Sequence, residues 1–240
     1  MKTDKEKHKK IMLNILADIS KDPELSVNLG FKGGTCCYFI YGLDRFSVDL
    51  DFDLLNMEAK DLVMKKMNEL LKKYGTVKKE GGESRMKLKY SDDSSALKVD
   101  ISSRDELNYL NSYEIKDIVS SVPLNILKKE DIFANKLVAV KDRFENKLAN
   151  KIIANRDIYD INFFFNKNWG INYEIIALRR KKDAKSYLKE LIEFIEKKVD
   201  NKRILDGIGA LVSDEKREWV KNELKNEVIK QLAIQIKSME

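Results

Sequence analysis

A chain of 240 residues, 43% hydrophobic and 36% charged, has enough apolar side chains for one sizeable core or two modest ones, which excludes global disorder. Its 46 Lys and Arg against 40 Asp and Glu leave a net charge of +6, a balance that favours polyanionic partners, nucleic acid above all. Two adjacent cysteines, Cys36 and Cys37, and one histidine, His8, exclude a disulfide-stapled scaffold and a four-ligand zinc site.

The Lys-rich start runs straight into an amphipathic segment with no signal-peptide core. No apolar run approaches the ~20 residues a membrane helix needs, so the expectation is a cytoplasmic protein with no membrane span. Ile11, Ile15, Leu16 and Ile19 recur at helical spacing and predict a helix over 5–20. Pro23 restarts the chain. A short apolar strand over 28–31 leads into a Lys32-Gly33-Gly34-Thr35 turn. A short helix over 36–41 follows, and Gly42 ends it. From Ser47 to Leu55, Val48, Leu50, Phe52 and Leu54 alternate with Ser47, Asp49, Asp51 and Asp53, the period of a strand. A helix follows over 58–74. Strands are predicted at 76–80, 84–91 and 96–102, with Gly81-Gly82 turning between the first two. After Pro123 the spacing is helical throughout: 130–144, 151–166, 172–180, 184–199 and 214–238. The predicted plan is an α/β half, residues 1–123, and an all-helical half, residues 124–240.

Residues two apart on a strand share a face, so Asp49 and Asp51 project together. Two like charges that close repel unless a cation lies between them, and Mg²⁺ is the natural occupant, being a hard ion that takes carboxylate and phosphate oxygens. Asp100, on another predicted strand, is the candidate third ligand, completing a site for two ions; Asp53 is the least suited of the aspartates. Gly33-Gly34-Thr35 precedes a helix N-terminus, where free N–H groups and the positive dipole end favour phosphate, with the Thr35 hydroxyl as an added donor. Lys32 and Arg45 flank this turn, either as phosphate contacts or as solvated surface. Alone, each half of this pattern is commonplace; the information lies in their combination.

The run from Phe31 to Phe52, with Lys32-Gly33-Gly34-Thr35, Arg45-Phe46-Ser47 and Asp49-x-Asp51-Phe52, resembles the first motif of the AbiEii/AbiGii-type nucleotidyltransferase toxins, within the DNA polymerase β-like nucleotidyltransferase superfamily. Cys36-Cys37 departs from the Ala-Leu often found there. Glu130 to Arg143 is similar to the family's second helix, with Lys136 and Arg143 at its Lys and Arg. Asn155 to Asn162 resembles its Arg-Asp-x-Tyr-Asp-Leu motif, which places Arg156, Asp157 and Asp160. The last 75 or so residues match no motif.

The resemblance implies an α+β fold with a nucleotidyltransferase-type mixed sheet, flanking helices and a C-terminal helical domain. It implies a Mg²⁺-dependent toxin, tied to abortive infection, that moves a nucleoside monophosphate from an NTP to an acceptor hydroxyl and releases pyrophosphate. The implied acceptor is RNA, with the tRNA 3′ end as the plausible site, and the implied partner is an antitoxin encoded separately. The implied catalytic set is Asp49, Asp51, Asp100, Lys136, Asp157 and Asp160; the phosphate-binding set is Lys32, Gly33, Gly34, Thr35, Arg45, Ser47, Arg143 and Arg156. Asp157 and Asp160 are read as orienters of Lys136, although sequence leaves other roles open. Phe163, Phe164 and Phe165 are read as core in preference to a base-stacking surface. The competing readings are a catalytically idle nucleotide- or RNA-binding module on the same fold and a nucleotidyltransferase acting on a small molecule such as an antibiotic.

Overall fold

A computed structural model of the chain describes residues 4–80, 84–92, 95–103, 110–118, 121–145 and 154–239, and it divides the chain into two compact units, Met1–Lys128 and Lys129–Glu240.

The first unit opens with α1 (Lys5–Lys21), capped by the Asp4 carboxylate, which accepts from the Lys7 N–H. Its stripe Met12, Ile15, Leu16 and Ile19 is fully buried. Asp22 caps α2 (Pro23–Asn28), and Pro23 sits in the first turn, where its missing N–H leaves no partner wanting. Then come β1 (Leu29–Lys32), α3 (Gly33–Ile40), β2 (Asp49–Leu54), a 3-10 turn at Met57–Ala59 and α4 (Lys60–Lys72). Five strands follow among the described residues: β3 (Thr76–Lys79), β4 (Arg85–Lys89), β5 (Leu97–Ser102), β6 (Tyr113–Asp117) and β7 (Pro123–Leu127).

All seven strands form one mixed sheet in the order β3-β4-β5-β2-β1-β7-β6. β2 runs parallel to β5 and β1 parallel to β7; the other neighbours are antiparallel. Leu50, Phe52 and Leu54 of β2, Val99 and Ile101 of β5, Met86 and Leu88 of β4 and Ile126 of β7 are all fully buried. Each such side chain contributes about 1.5–3 kcal/mol over an exposed one. The residues between them on β2, β4 and β5 face the other way and are polar, so the alternation in the sequence separates a core face from a chemical face.

Four features depart from the sequence reading. β6 and β7 were not foreseen, and the sheet keeps β7, so the first unit extends through Lys128 where the sequence reading ended it at 123. Gly33 and Gly34 belong to the first turn of α3. The expected helix over 214–238 is two helices meeting at Glu223 (φ −115°). The expected Gly81-Gly82 turn and residues 151–153 of an expected helix lie outside the described residues; β3 and β4 are antiparallel neighbours.

Among the described residues the second unit has α5 (Lys129–Glu145), α6 (Asn155–Asn166), α7 (Tyr173–Arg180), α8 (Ala184–Lys198), α9 (Asp214–Asn222) and α10 (Leu224–Lys237). α5 packs on α6 and α7, and α10 on α6 and α8. Phe164 is fully buried, stacked on Trp169 with ring centroids 4.3 Å apart, and Phe165 meets Phe133 edge-on at 4.8 Å. The aromatic run on α6 is therefore core. Among the described residues no helix is long and apolar enough to cross a membrane.

Candidate active site

The chemical face of the sheet is set by register. Asp51 is aligned with Asp100 on β5 to one side and with Lys32 on β1 to the other; Asp49 is aligned with Lys98. Partners in register share a face. Asp49, Asp51, Asp53, Asp100 and Lys32 therefore all stand on the face opposite the core. Asp49, Asp51 and Asp100 are each half-buried.

The chain leaves β1 through Lys32 directly into α3. Gly33 has φ +80°, and a Cβ there would lie 2.4 Å from Asp51 Oδ2. A Cβ on Gly34 would lie 2.7 Å from Arg45 Nη2 and 3.0 Å from Ser47 Oγ. Both glycines are thus required by groups of the site itself. No side chain caps α3, whose first-turn N–H groups and positive dipole end open beside the carboxylates.

Three residues read as phosphate contacts prove to be packed beneath the turn. Thr35 is fully buried, its hydroxyl within 2.9 Å of Ser47 Oγ and bonded to the Asp49 carbonyl oxygen. One proton serves one acceptor, so Thr35 donates to the Asp49 carbonyl and accepts from Ser47. Ser47 is 7% exposed and Arg45 3%, with Arg45 Nη1 donating to the Phe46 carbonyl at 3.1 Å. Thr35 and Ser47 thereby hold the backbone of β2 where the carboxylates leave it.

Asp53 takes a part that the sequence did not suggest. Its carboxylate is 1% exposed; Oδ1 lies 2.5 Å from Lys32 Nζ, and Oδ2 accepts from the Tyr113 hydroxyl at 2.7 Å and Asn111 at 3.2 Å. The Tyr113 ring lies over Gly30, where a Cβ would meet it at 2.2 Å. Lys32, one residue before the glycine pair, is therefore fixed by a buried anion. His8 was also missed. It is buried on α1, with Nε2 2.8 Å from the Val48 carbonyl and Nδ1 2.5 Å from the Tyr90 hydroxyl. Burial lowers its pKa, so the neutral ring donates from Nε2 and accepts at Nδ1, tying α1 to the residue before Asp49.

Asp100 Oδ2 accepts from Arg85 Nε at 2.9 Å, an exposed pair. Among the described residues no three His, Cys, Asp or Glu side chains converge closely enough to hold a metal ion as they stand. The donors nevertheless suit one in kind: Asp49, Asp51 and Asp100 are hard oxygen ligands on adjacent positions of one face, and Gly33 leaves open the space that a Cβ would fill beside Asp51.

In the helical unit, Lys136 of α5 reaches two fully buried carboxylates of α6, Asp157 Oδ1 at 2.7 Å and Asp160 Oδ2 at 2.9 Å, and is itself 12% exposed. Arg143 Nε stands 3.0 Å from Asp157 Oδ2, off the line of a hydrogen bond, so that buried oxygen accepts none among the described residues. Burial alone would raise the Asp157 pKa; Lys136 and Arg143, with Arg156 behind them, outweigh it and hold the pKa at about 2. Lys136 therefore does not run out to solvent. A lysine seven residues before an arginine on one helix marked this cluster in the sequence.

Comparison with known proteins bears on this arrangement. The sequence profile of the family described as "Nucleotidyl transferase AbiEii toxin, Type IV TA system" matches residues 14–229. No curated protein matches the chain. Among solved structures, a candidate nucleotidyltransferase from H. pylori superposes with a TM-score of 0.61 at 21% identity, covering 100% of this chain and 99% of that one. JHP933 from Helicobacter pylori gives 0.55 at 22%, covering 98% and 96%. MenT4, a nucleotidyltransferase toxin from Mycobacterium tuberculosis H37Rv, gives 0.50 at 18%, covering 89% and 76%. At these identities the structures share the fold.

Proposed function

The chain belongs to the AbiEii nucleotidyl transferase toxin family of type IV toxin–antitoxin systems, and from that premise we propose that it transfers a nucleoside monophosphate from an NTP to an RNA hydroxyl in the cytoplasm, restrained by an antitoxin. The observation that carries this reading is the placement of Asp51 against Gly33, with Asp100 in register beside it and Asp49 on the same face of β2.

The triphosphate binds over the first turn of α3, where Gly33 and Gly34 bring backbone N–H groups close to it and Lys32 adds a fixed positive charge. Arg45, packed against Gly34, adds a second charge from below. Asp49 and Asp51, with Asp100 as third ligand once it leaves Arg85, would hold the Mg²⁺ ions. Held by these carboxylates, Mg²⁺ would supply neutralisation of phosphate charge and a lowered pKa for the acceptor hydroxyl. The acceptor oxygen bonds to the α-phosphorus as its proton leaves, and the bond to the bridging oxygen breaks, freeing pyrophosphate. Thr35, Ser47 and His8 hold β2 so that the carboxylates do not drift, since misplacement of even 1 Å is costly in such sites. Within the helical unit by itself, Lys136 is proposed as a phosphate-binding group, with Arg143 and Arg156 adding positive charge and Asp157 and Asp160 as its positioning residues.

The direct test is incubation with each labelled NTP and total RNA, with and without Mg²⁺. Label entering RNA only with Mg²⁺, and lost in Asp49→Asn and Asp51→Asn, is the expected result. Label in no RNA under any condition overturns the RNA acceptor. Growth arrest on expression that is identical for wild type and the Asp49→Ala/Asp51→Ala variant overturns the catalytic reading in favour of an idle module.

A further inference from the structure

On the strands beyond Asp100 the chemical face is basic. Lys78 of β3 is in register with Lys87 of β4, and Lys87 with Lys98 of β5, which in turn is in register with Asp49. Three lysines on three adjacent strands thus form a straight row that ends at the first carboxylate of the site. Neighbouring strands are about 4.8 Å apart, so the row spans about 10 Å.

Like charges directly opposite one another destabilise a sheet, and this row contains two such pairs in succession. Lys78 and Lys98 are exposed and form no ion pair among the described residues. Lys87 lies 2.5 Å from Glu80, using one of its three donors. Lys87 above all, then Lys98 and Arg85, keep the Glu80 carboxyl below its ordinary pKa, so that acid lies in a positive field.

Direction settles which part of a reaction this row would serve. Displacement at phosphorus needs the attacking oxygen opposite the leaving group. The glycine turn follows β1, on one side of β2, and on the transferase reading above it would hold the pyrophosphate side. The acceptor must then approach over β5, β4 and β3. We infer that Lys78, Lys87 and Lys98 form the track for the phosphate backbone of a single-stranded nucleic-acid acceptor, delivering its terminal hydroxyl to Asp49 and Asp51. This rests on the transferase reading above, but binding can be measured without turnover.

The experiment measures affinity of the full chain for a fluorescent single-stranded RNA oligonucleotide across a salt series. The Lys78→Gln/Lys87→Gln/Lys98→Gln variant should bind at least tenfold more weakly at low salt. The slope of log affinity against log salt should become shallower by about 2, since each single-strand phosphate contact contributes about 0.7. Lys98→Glu alone should weaken binding severalfold. The control Lys65→Gln/Lys72→Gln/Lys202→Gln, which removes the same charge from exposed positions elsewhere, should keep wild-type affinity. The inference is overturned if wild type does not bind, if the row variant keeps wild-type affinity and slope, or if the control loses as much. Asp49→Asn/Asp51→Asn should still bind, which separates failure of the track from failure of the chemistry.

Discussion

Gly33 and Asp51 are fitted to one another: the carboxylate oxygen occupies the space in which any side chain on residue 33 would begin, 2.4 Å from an ideal Cβ. The φ of +80° at Gly33 adds a backbone cost of about 1–2 kcal/mol for any other residue. Gly33→Ala should therefore displace Asp51 and lower the rate of nucleotidyl transfer about a hundredfold or more, while thermal unfolding moves by only a few degrees. Wild-type turnover in this variant would show that the two residues do not act together.

Thr35 should matter through the backbone. Thr35→Val removes the donor to the buried Asp49 carbonyl and the acceptor for Ser47, at a cost of about 1–3 kcal/mol. Thr35→Ser should recover most of that. Urea midpoints for the three proteins check this; equal midpoints would mean that the hydroxyl is not holding β2.

Asp53→Asn deprives Lys32 of its buried anion while leaving the strand intact. It should raise KM for the NTP more than it lowers kcat, because Lys32 loses its fixed position, and should cost about 1–3 kcal/mol of stability. Tyr113→Phe, which removes one donor to the same carboxylate, should show the same pattern more weakly. A kcat defect with unchanged KM would assign Asp53 to chemistry instead.

The Asp157 carboxyl titrates at about 2 in the fold against an ordinary 3.8. Its stabilisation, about 2 kcal/mol from the size of that difference, is fully present above pH 4 or so and is lost as pH falls through the folded value. Asp157→Asn should flatten the decline in stability between about pH 4 and 2. Unfolding measured across that range decides it, and a wild-type profile in the variant would count against the Lys136 pairing.

His8 works in a different window. Its pKa lies below the ordinary 6.5, so the unfolded chain takes up a proton first as the solution is acidified. Stability should begin to fall below about pH 6.5 and stop falling once the folded ring is also protonated. His8→Gln should remove that step and leave the acid limb near pH 4 to 2 in place.

Much of this arrangement was legible because it depends on short periods. The alternation around Asp49 and Asp51 marks a strand with two faces, and the spacing of Lys136 and Arg143 marks one side of a helix. Residues whose meaning depends on a distant partner were not legible. Asp53 reads only as the least suited ligand because its partners are distant in sequence: Lys32 is 21 positions away and Tyr113 is 60, and the sheet brings them together. Thr35 looked like a ligand donor because nothing local says that the Asp49 carbonyl lies above it. β6 escaped because Tyr113-Glu-Ile-Lys-Asp117 is an edge strand whose central Ile115 is 74% exposed, so it lacks the apolar alternation of a buried strand.

The parallel pairing of β2 with β5 has a consequence for synthesis. The glycine turn and the Asp49–Asp51 pair are translated well before Leu97, yet until β5 emerges one whole side of β2 has no partner, and an unpaired strand edge sticks to others instead of doing chemistry. A chain cut before residue 97 thus carries the first motif without the strand that sets Asp100 beside Asp51.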